Sequence, residues 1–125
     1  MWKKYLIDTN VLIGAQTLAI PETGLKVLGD IIDIDFTISF ITYIEFLGYK
    51  FATPSMNEFV SSASIIEINR TIIDKTILIR KSKKIPLPDA IIAATALVEN
   101  RILMTRNIDD FKNIDGLALI NLWEV

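Results

Sequence analysis

Asp8 directly follows the apolar run Tyr5-Leu6-Ile7, and three further carboxylates, Glu45, Asp89 and Asp110, recur at comparable edges of short hydrophobic segments. Acids gathered from distant segments repel one another, and a divalent cation removes that repulsion, so the set implies a metal site. The chain contains no histidine and no cysteine. It therefore lacks the usual neutral-pH base, the commonest metal ligand, disulfides and any zinc-thiolate chemistry. Hydrolysis would fall to carboxylates, hydroxyls, lysines or an ion held by oxygen ligands, a donor set that suits magnesium or manganese.

Each acid also has an ordinary structural role. Asp8 after a strand is a helix cap, and Glu45 can complete a capping box opened by Thr42. Asp89 in the first turn of an Ala-rich helix complements the helix dipole by roughly 0.3 to 1 kcal/mol. Asp110, in the polar stretch that follows a strand, is a solvated turn acid. Joint occurrence separates the two readings: if the strands are parallel, all four acids meet at one sheet edge, where ligands bind in open α/β folds.

Strand-like segments fall at 4–7, 36–40, 64–68, 102–105 and 118–121, each short and rich in Ile, Leu, Val or Phe. Helical spacing separates most of them. One helix runs from Pro21-Glu22 to about Ile32, with a turn at 33–35, and a second is capped by Thr42. A short one covers 55–62, a longer one follows Asn69 as N-cap, and the last has Pro88 in its first turn and reaches about Glu99. Strands alternating with helices predict a three-layer α/β/α sandwich around a central, mostly parallel sheet of four or five short strands. The 125 residues fit one domain, 1–125, with neither repeat nor linker.

The uncharged stretches 9–21 and 36–44 are too short to span a bilayer, and only three apolar residues separate Lys4 from Asp8, so no signal peptide is expected. A soluble, cytoplasmic protein is the expectation. A hydrophobic share of 51% with mean hydropathy of +0.42 points either to a covered surface, such as a dimer, or to an Ile-rich core. Setting aside the four candidate acids turns the net charge of -2 into +2. Arg70, Lys75, Arg80, Lys81, Lys83 and Lys84 crowd one segment, either to contact phosphates or as a solvated helix face.

Leu6-Ile7-Asp8-Thr9-Asn10 with the following Val11-Leu12-Ile13 resembles the opening motif of the PIN-domain ribonucleases, and more narrowly of the VapC-type toxins of toxin-antitoxin pairs. Ile41-Thr42-Tyr43-Ile44-Glu45 resembles the second motif, and the stretch from Leu87-Pro88-Asp89 to Ala96 is similar to the third. Thr105-Arg106-Asn107 with Asp110-Phe111 resembles the fourth. Some relatives carry the last acid where this chain has Asn107 and others where it has Asp110, whereas Asp109 is expected to face elsewhere.

This resemblance implies a Mg2+- or Mn2+-dependent endoribonuclease. Asp8 and Asp89 would hold the metal, Glu45 would position or deprotonate the attacking water, and Asp110 would complete the acidic ring. Thr9, Asn10, Thr105 and Asn107 would orient waters or ligands. Implied partners are the RNA substrate, a second copy in a homodimer, and a small antitoxin that blocks the acidic pocket. A non-catalytic PIN-fold assembly subunit and a housekeeping RNA-processing nuclease are the alternatives. Other early-Asp folds fit less well: a dehalogenase-like phosphatase needs an acid where Asn10 stands, and a phosphate-binding loop needs more glycine than Gly14.

Overall fold

The computed structural model describes residues 3–125. Its elements run β1 (Tyr5–Ile7), α1 (Thr9–Gln16), α2 (Glu22–Asp35), β2 (Thr37–Ser39), α3 (Phe40–Leu47), α4 (Pro54–Val60), β3 (Ser64–Ile66), α5 (Arg70–Ser82), α6 (Leu87–Val98), β4 (Ile102–Met104), α7 (Ile108–Phe111) and β5 (Leu119–Ile120). Every strand pairing is parallel.

Strand alternation builds the layers. Leu6 of β1 and its register partner Leu103 of β4 point into one apolar cluster with Ile72 and Ile79 of α5 and the alanines of α6. Their neighbours Ile7 and Met104 point into a second cluster with Val11 and Leu12 of α1, Leu28 of α2 and Phe46 of α3. A sheet buried on both faces reads as a continuous apolar run rather than an alternating one, as these strands do. The small side chains of Ala90, Ala93, Ala94 and Ala96, all buried, let α6 approach the sheet and α5 closely.

The expected single sheet of four or five strands is divided into a three-stranded sheet in the order β1-β4-β5 and a two-stranded sheet, β2-β3. β1 and β2 are neighbours, yet no ladder joins them. The Tyr5 carbonyl, which alternation turns away from β4, accepts from Arg101 Nη1 at 3.1 Å, and the same nitrogen donates to Asp35 Oδ2 at 2.7 Å. One carbonyl on the side of β1 away from β4 is thus bound by a side chain instead of by a strand amide.

Three element boundaries differ from expectation. α2 continues through 33–35, where a turn was expected, and Asp35 at its end is held by Thr37 Oγ1 at 2.7 Å as well as by Arg101. α1 was not anticipated, because its sequence is apolar nearly all round and offers no helical contrast. Phe40 opens α3 instead of closing β2, and Ser39 is the cap, its hydroxyl accepting from Thr42 N at 3.1 Å. Thr42 is thus a buried residue inside the helix, and Glu45 has no part in a capping box. No helix among the described residues is long and apolar enough to cross a membrane.

Candidate active site

Asp8 ends the strand at the centre of this arrangement and caps α1, accepting from Thr9 N through Oδ1 at 2.8 Å. Its other oxygen accepts from Thr105 Oγ1 at 2.9 Å and from Asn10 Nδ2 at 3.0 Å. Thr105 follows β4, so a hydrogen bond across 97 residues joins the ends of two paired strands. The Thr105 hydroxyl is fully used. It donates to Asp8 and accepts from Asn10 Nδ2 at 3.2 Å and from Asn107 N at 3.1 Å, one proton and two lone pairs. Asn10 Oδ1 in turn accepts from Arg106 N at 3.0 Å, which fixes the turn leading toward Asp110.

Asp8 keeps only 6% of its surface exposed. Burial is the largest influence on its carboxyl and drives the pKa up from 3.8 to about 6, while the bonds from Thr105 and Thr9 pull the other way. The nearby Asp89 and Glu45 carboxylates push in the same direction as burial, but less. Asp89, in the first turn of α6, is also raised, again by burial first and then by Asp110 and Glu45. Repulsion among the acids contributes, and desolvation contributes more.

Glu45 is exposed on α3, and its Oε1 accepts a 2.6 Å hydrogen bond from Thr9 Oγ1. That bond ties the second acid to the residue beside the first. If these acids catalyse a reaction, replacing Thr9 with Val, which keeps the shape and removes the hydroxyl, should lower its rate about tenfold, as loss of a residue supporting a site acid typically does. Because the bond is solvent-exposed, unfolding free energy should change by less than about 1 kcal/mol. Steady-state kinetics alongside thermal melts would separate the two, and an unchanged rate would remove Thr9 from any supporting role.

Asp89 and Asp110 line one cleft of about 380 Å³ with Asp109, Lys83, Lys84 and Asn113. A second cleft of about 480 Å³, bordered by Arg106, Asn107 and Asn121, shares Asp109 and Asp110 with the first. Asp8 and Glu45 line neither cleft. Asp8 feels the charges of Asp89 and Glu45, and Asp89 those of Glu45 and Asp110, so the first three acids are neighbours in every pair and Asp110 joins them through Asp89. Among the described residues no three acidic side chains stand close enough together to cage an ion. Magnesium does not need a cage, since it keeps several waters and takes one or two carboxylates, and the oxygen-only donor set fits it.

Asn107 sits at the start of α7 with its side chain making no capping bond, on the rim of the second cleft beside Asp110. Asp109 borders both clefts, but its exposed carboxylate is 3.0 Å from Lys112 Nζ, a residue that lines neither. Two features were missed from sequence. Ser39 and Thr42 extend the hydroxyl network behind Thr9, with Thr9 Oγ1 3.4 Å from Thr42 Oγ1. Arg106 lies over the Trp123 ring at 4.8 Å, and Trp123 packs against Gly14, where a Cβ would meet the ring at 2.8 Å. The smallness of Gly14 was the available signal.

A parallel sheet covered on both faces, with linked acids at its carboxyl edge, defines an α/β/α protein of the type that binds ligands at that edge. The chain belongs to the PIN domain family, whose family model matches residues 5–117. Among solved structures it is similar to a toxin-antitoxin complex from Klebsiella pneumoniae, with 30% identity, a TM-score of 0.78 and coverage of 98% of this chain and 100% of that one. It is also similar to VapBC2 from Rickettsia felis bound to a DNA fragment from their promoter, with 25% identity, a TM-score of 0.76, and 94% and 97% coverage. DNA-bound VapBC from Salmonella typhimurium shares the fold at 20% identity, with a TM-score of 0.79 and 97% and 99% coverage. No curated protein matches the chain in sequence.

Proposed function

We propose that this protein is a divalent-metal-dependent endoribonuclease and the toxin of a toxin-antitoxin pair that restrains translation by cutting RNA. The observation that carries the reading is Asp8: a nearly buried carboxylate at a strand end, under the influence of Asp89 and Glu45, in a chain of the PIN domain family. Asp8 and Asp89 would hold a magnesium or manganese ion. When bound, such an ion polarises a phosphodiester and makes water a better nucleophile.

The protein's own groups do the rest. Thr105 and Asn10 fix the Asp8 carboxylate in one orientation through its Oδ2. Thr9 holds Glu45, which would take the proton of the attacking water as oxygen bonds to phosphorus and the P–O bond to the leaving ribose breaks. Asp110 adds negative charge beside Asp89, strengthening retention of the cation. Asn107, on the rim beside Asp110, would orient water or substrate. Exposed apolar side chains, Tyr43, Ile44 and Phe51 in one stretch and Ile73, Ile77 and Leu78 on α5, supply surface for a homodimer and an antitoxin to cover.

The direct test is cleavage of single-stranded RNA by purified protein in magnesium or manganese, abolished by chelation. Saturating magnesium at about 100 times its Kd should add about 2.7 kcal/mol to stability, visible as a rise of several degrees in Tm. If RNA stays intact and Tm does not move with either ion, the PIN fold serves binding or assembly here instead.

A further inference from the structure

The basic segment 70–84 resolves into residues with different engagements. Arg70 pairs with Asp74 at 3.1 Å, Lys75 borders a small cleft that Lys83 also lines but that lacks Asp89 and Asp110, and Arg80 Nη1 donates to the Ile85 carbonyl at 3.2 Å. Lys83 and Lys84 differ from these. They are exposed, they make no ion pair among the described residues, and they line the acidic cleft with Asp89 and Asp110. They also border an adjoining depression of about 460 Å³ with Arg80 and Lys81.

Their backbone is fixed on both sides. Lys83 N closes α5 on the Ile79 carbonyl at 2.9 Å, and Ile85 is buried in the core, its carbonyl held by Arg80. Pro86 then caps α6, whose third residue is Asp89. Two cationic stems therefore stand at a set place on the rim of a negative cleft. A polyanion entering that cleft meets repulsion from Asp89, Asp109 and Asp110, and cations at the rim offset it.

We propose that Lys83 and Lys84 are positioning residues that grip RNA backbone phosphates beside the bond to be cut, so that a single strand leaves the acidic cleft over the Lys81–Lys84 rim. The inference rests on the nuclease reading of the same site. Single-strand binding of this kind tracks the backbone and depends on salt, log K changing by about 0.7 per phosphate contact for each decade of salt.

The test is the salt dependence of a short labelled single-stranded RNA, followed both by KM in cleavage and by anisotropy in an Asp8→Asn background. Lys83→Ala/Lys84→Ala should raise KM about tenfold near 0.1 M salt, lower the salt slope by about 1.4 and leave kcat within about twofold. Lys83→Arg/Lys84→Arg should restore the slope, and Lys26→Ala, on a helix packed against the opposite sheet face, should leave it as in the parent.

A parental slope in the double alanine variant overturns the proposal, as does a fall in kcat at constant KM. A parental RNA slope with lost binding of poly-L-glutamate overturns it in favour of a carboxylate-bearing protein partner on this rim. The nuclease reading fails separately: if Asp8→Asn still cleaves, that assignment falls while the slope in the binding assay still decides the lysines. Absence of RNA binding by the parent overturns both.

Discussion

Asp8→Asn should reduce RNA cleavage by at least about a hundredfold without disturbing the fold. Loss of a residue that merely supports a metal ligand costs 10- to 100-fold in many sites, so loss of the ligand itself sets that range as a floor. The side chain sits where three hydrogen bonds define it, and Asn preserves its size and its bond from Thr9 N. Its amide cannot supply the second anionic oxygen, and a dication binds it far less well. The magnesium-induced rise in Tm should shrink with the activity. A variant that retains both parental rate and parental magnesium stabilisation would remove Asp8 from the site.

In the absence of metal the same substitution should stabilise the protein, and the gain should depend on pH. Burial pushes the folded carboxyl up to about 6 from its ordinary 3.8, a difference on the order of 3 kcal/mol between protonation states. The sign follows from linkage. Below about pH 4 Asp8 is protonated whether folded or unfolded, and its burial carries no charge penalty. As pH rises from about 4 to 6 the unfolded chain releases the proton first, so the parent loses stability across that window, and above it the whole penalty applies.

Asn does not ionise and should lack this loss. Part of the gain is returned, because the Asn amide would face the Asn10 Nδ2 donor that now points at Asp8 Oδ2. A net advantage of about 1 to 2 kcal/mol at neutral pH, vanishing near pH 4, is expected from urea unfolding in chelator. A pH-independent difference would place the effect in packing rather than in charge. Adding magnesium should reverse the order, since only the parent gains from the ion.

Much of this arrangement was legible beforehand. The apolar runs ending at Ile7 and Met104 marked strands because they are buried on both faces, and Pro88 and Asn69 marked helix starts through local backbone chemistry. α1 left only its Asp8 cap as a mark, since it lacks a polar face, and α7 left none, being only four residues long. The capping-box reading of Thr42 and Glu45 failed because Ser39, three residues earlier, offered an equally good cap, and the strand ended sooner than its composition indicated.

The amino-acid sequence by itself determined which chemistry is open to this protein: with no imidazole or thiol, hydrolysis is left to carboxylates, hydroxyls, lysines or an oxygen-held ion, and the order and spacing of the motifs resembled those of the PIN family. Only the tertiary structure decided how those acids stand. It buried Asp8 and left Glu45 exposed, joined Glu45 to Thr9, placed Arg101 on the Tyr5 carbonyl and set Lys83 and Lys84 on the cleft that Asp89 lines. The reason is range: residue type and local spacing act over a few positions, whereas desolvation and hydrogen bonds across 36 and 97 residues exist only once distant segments have packed.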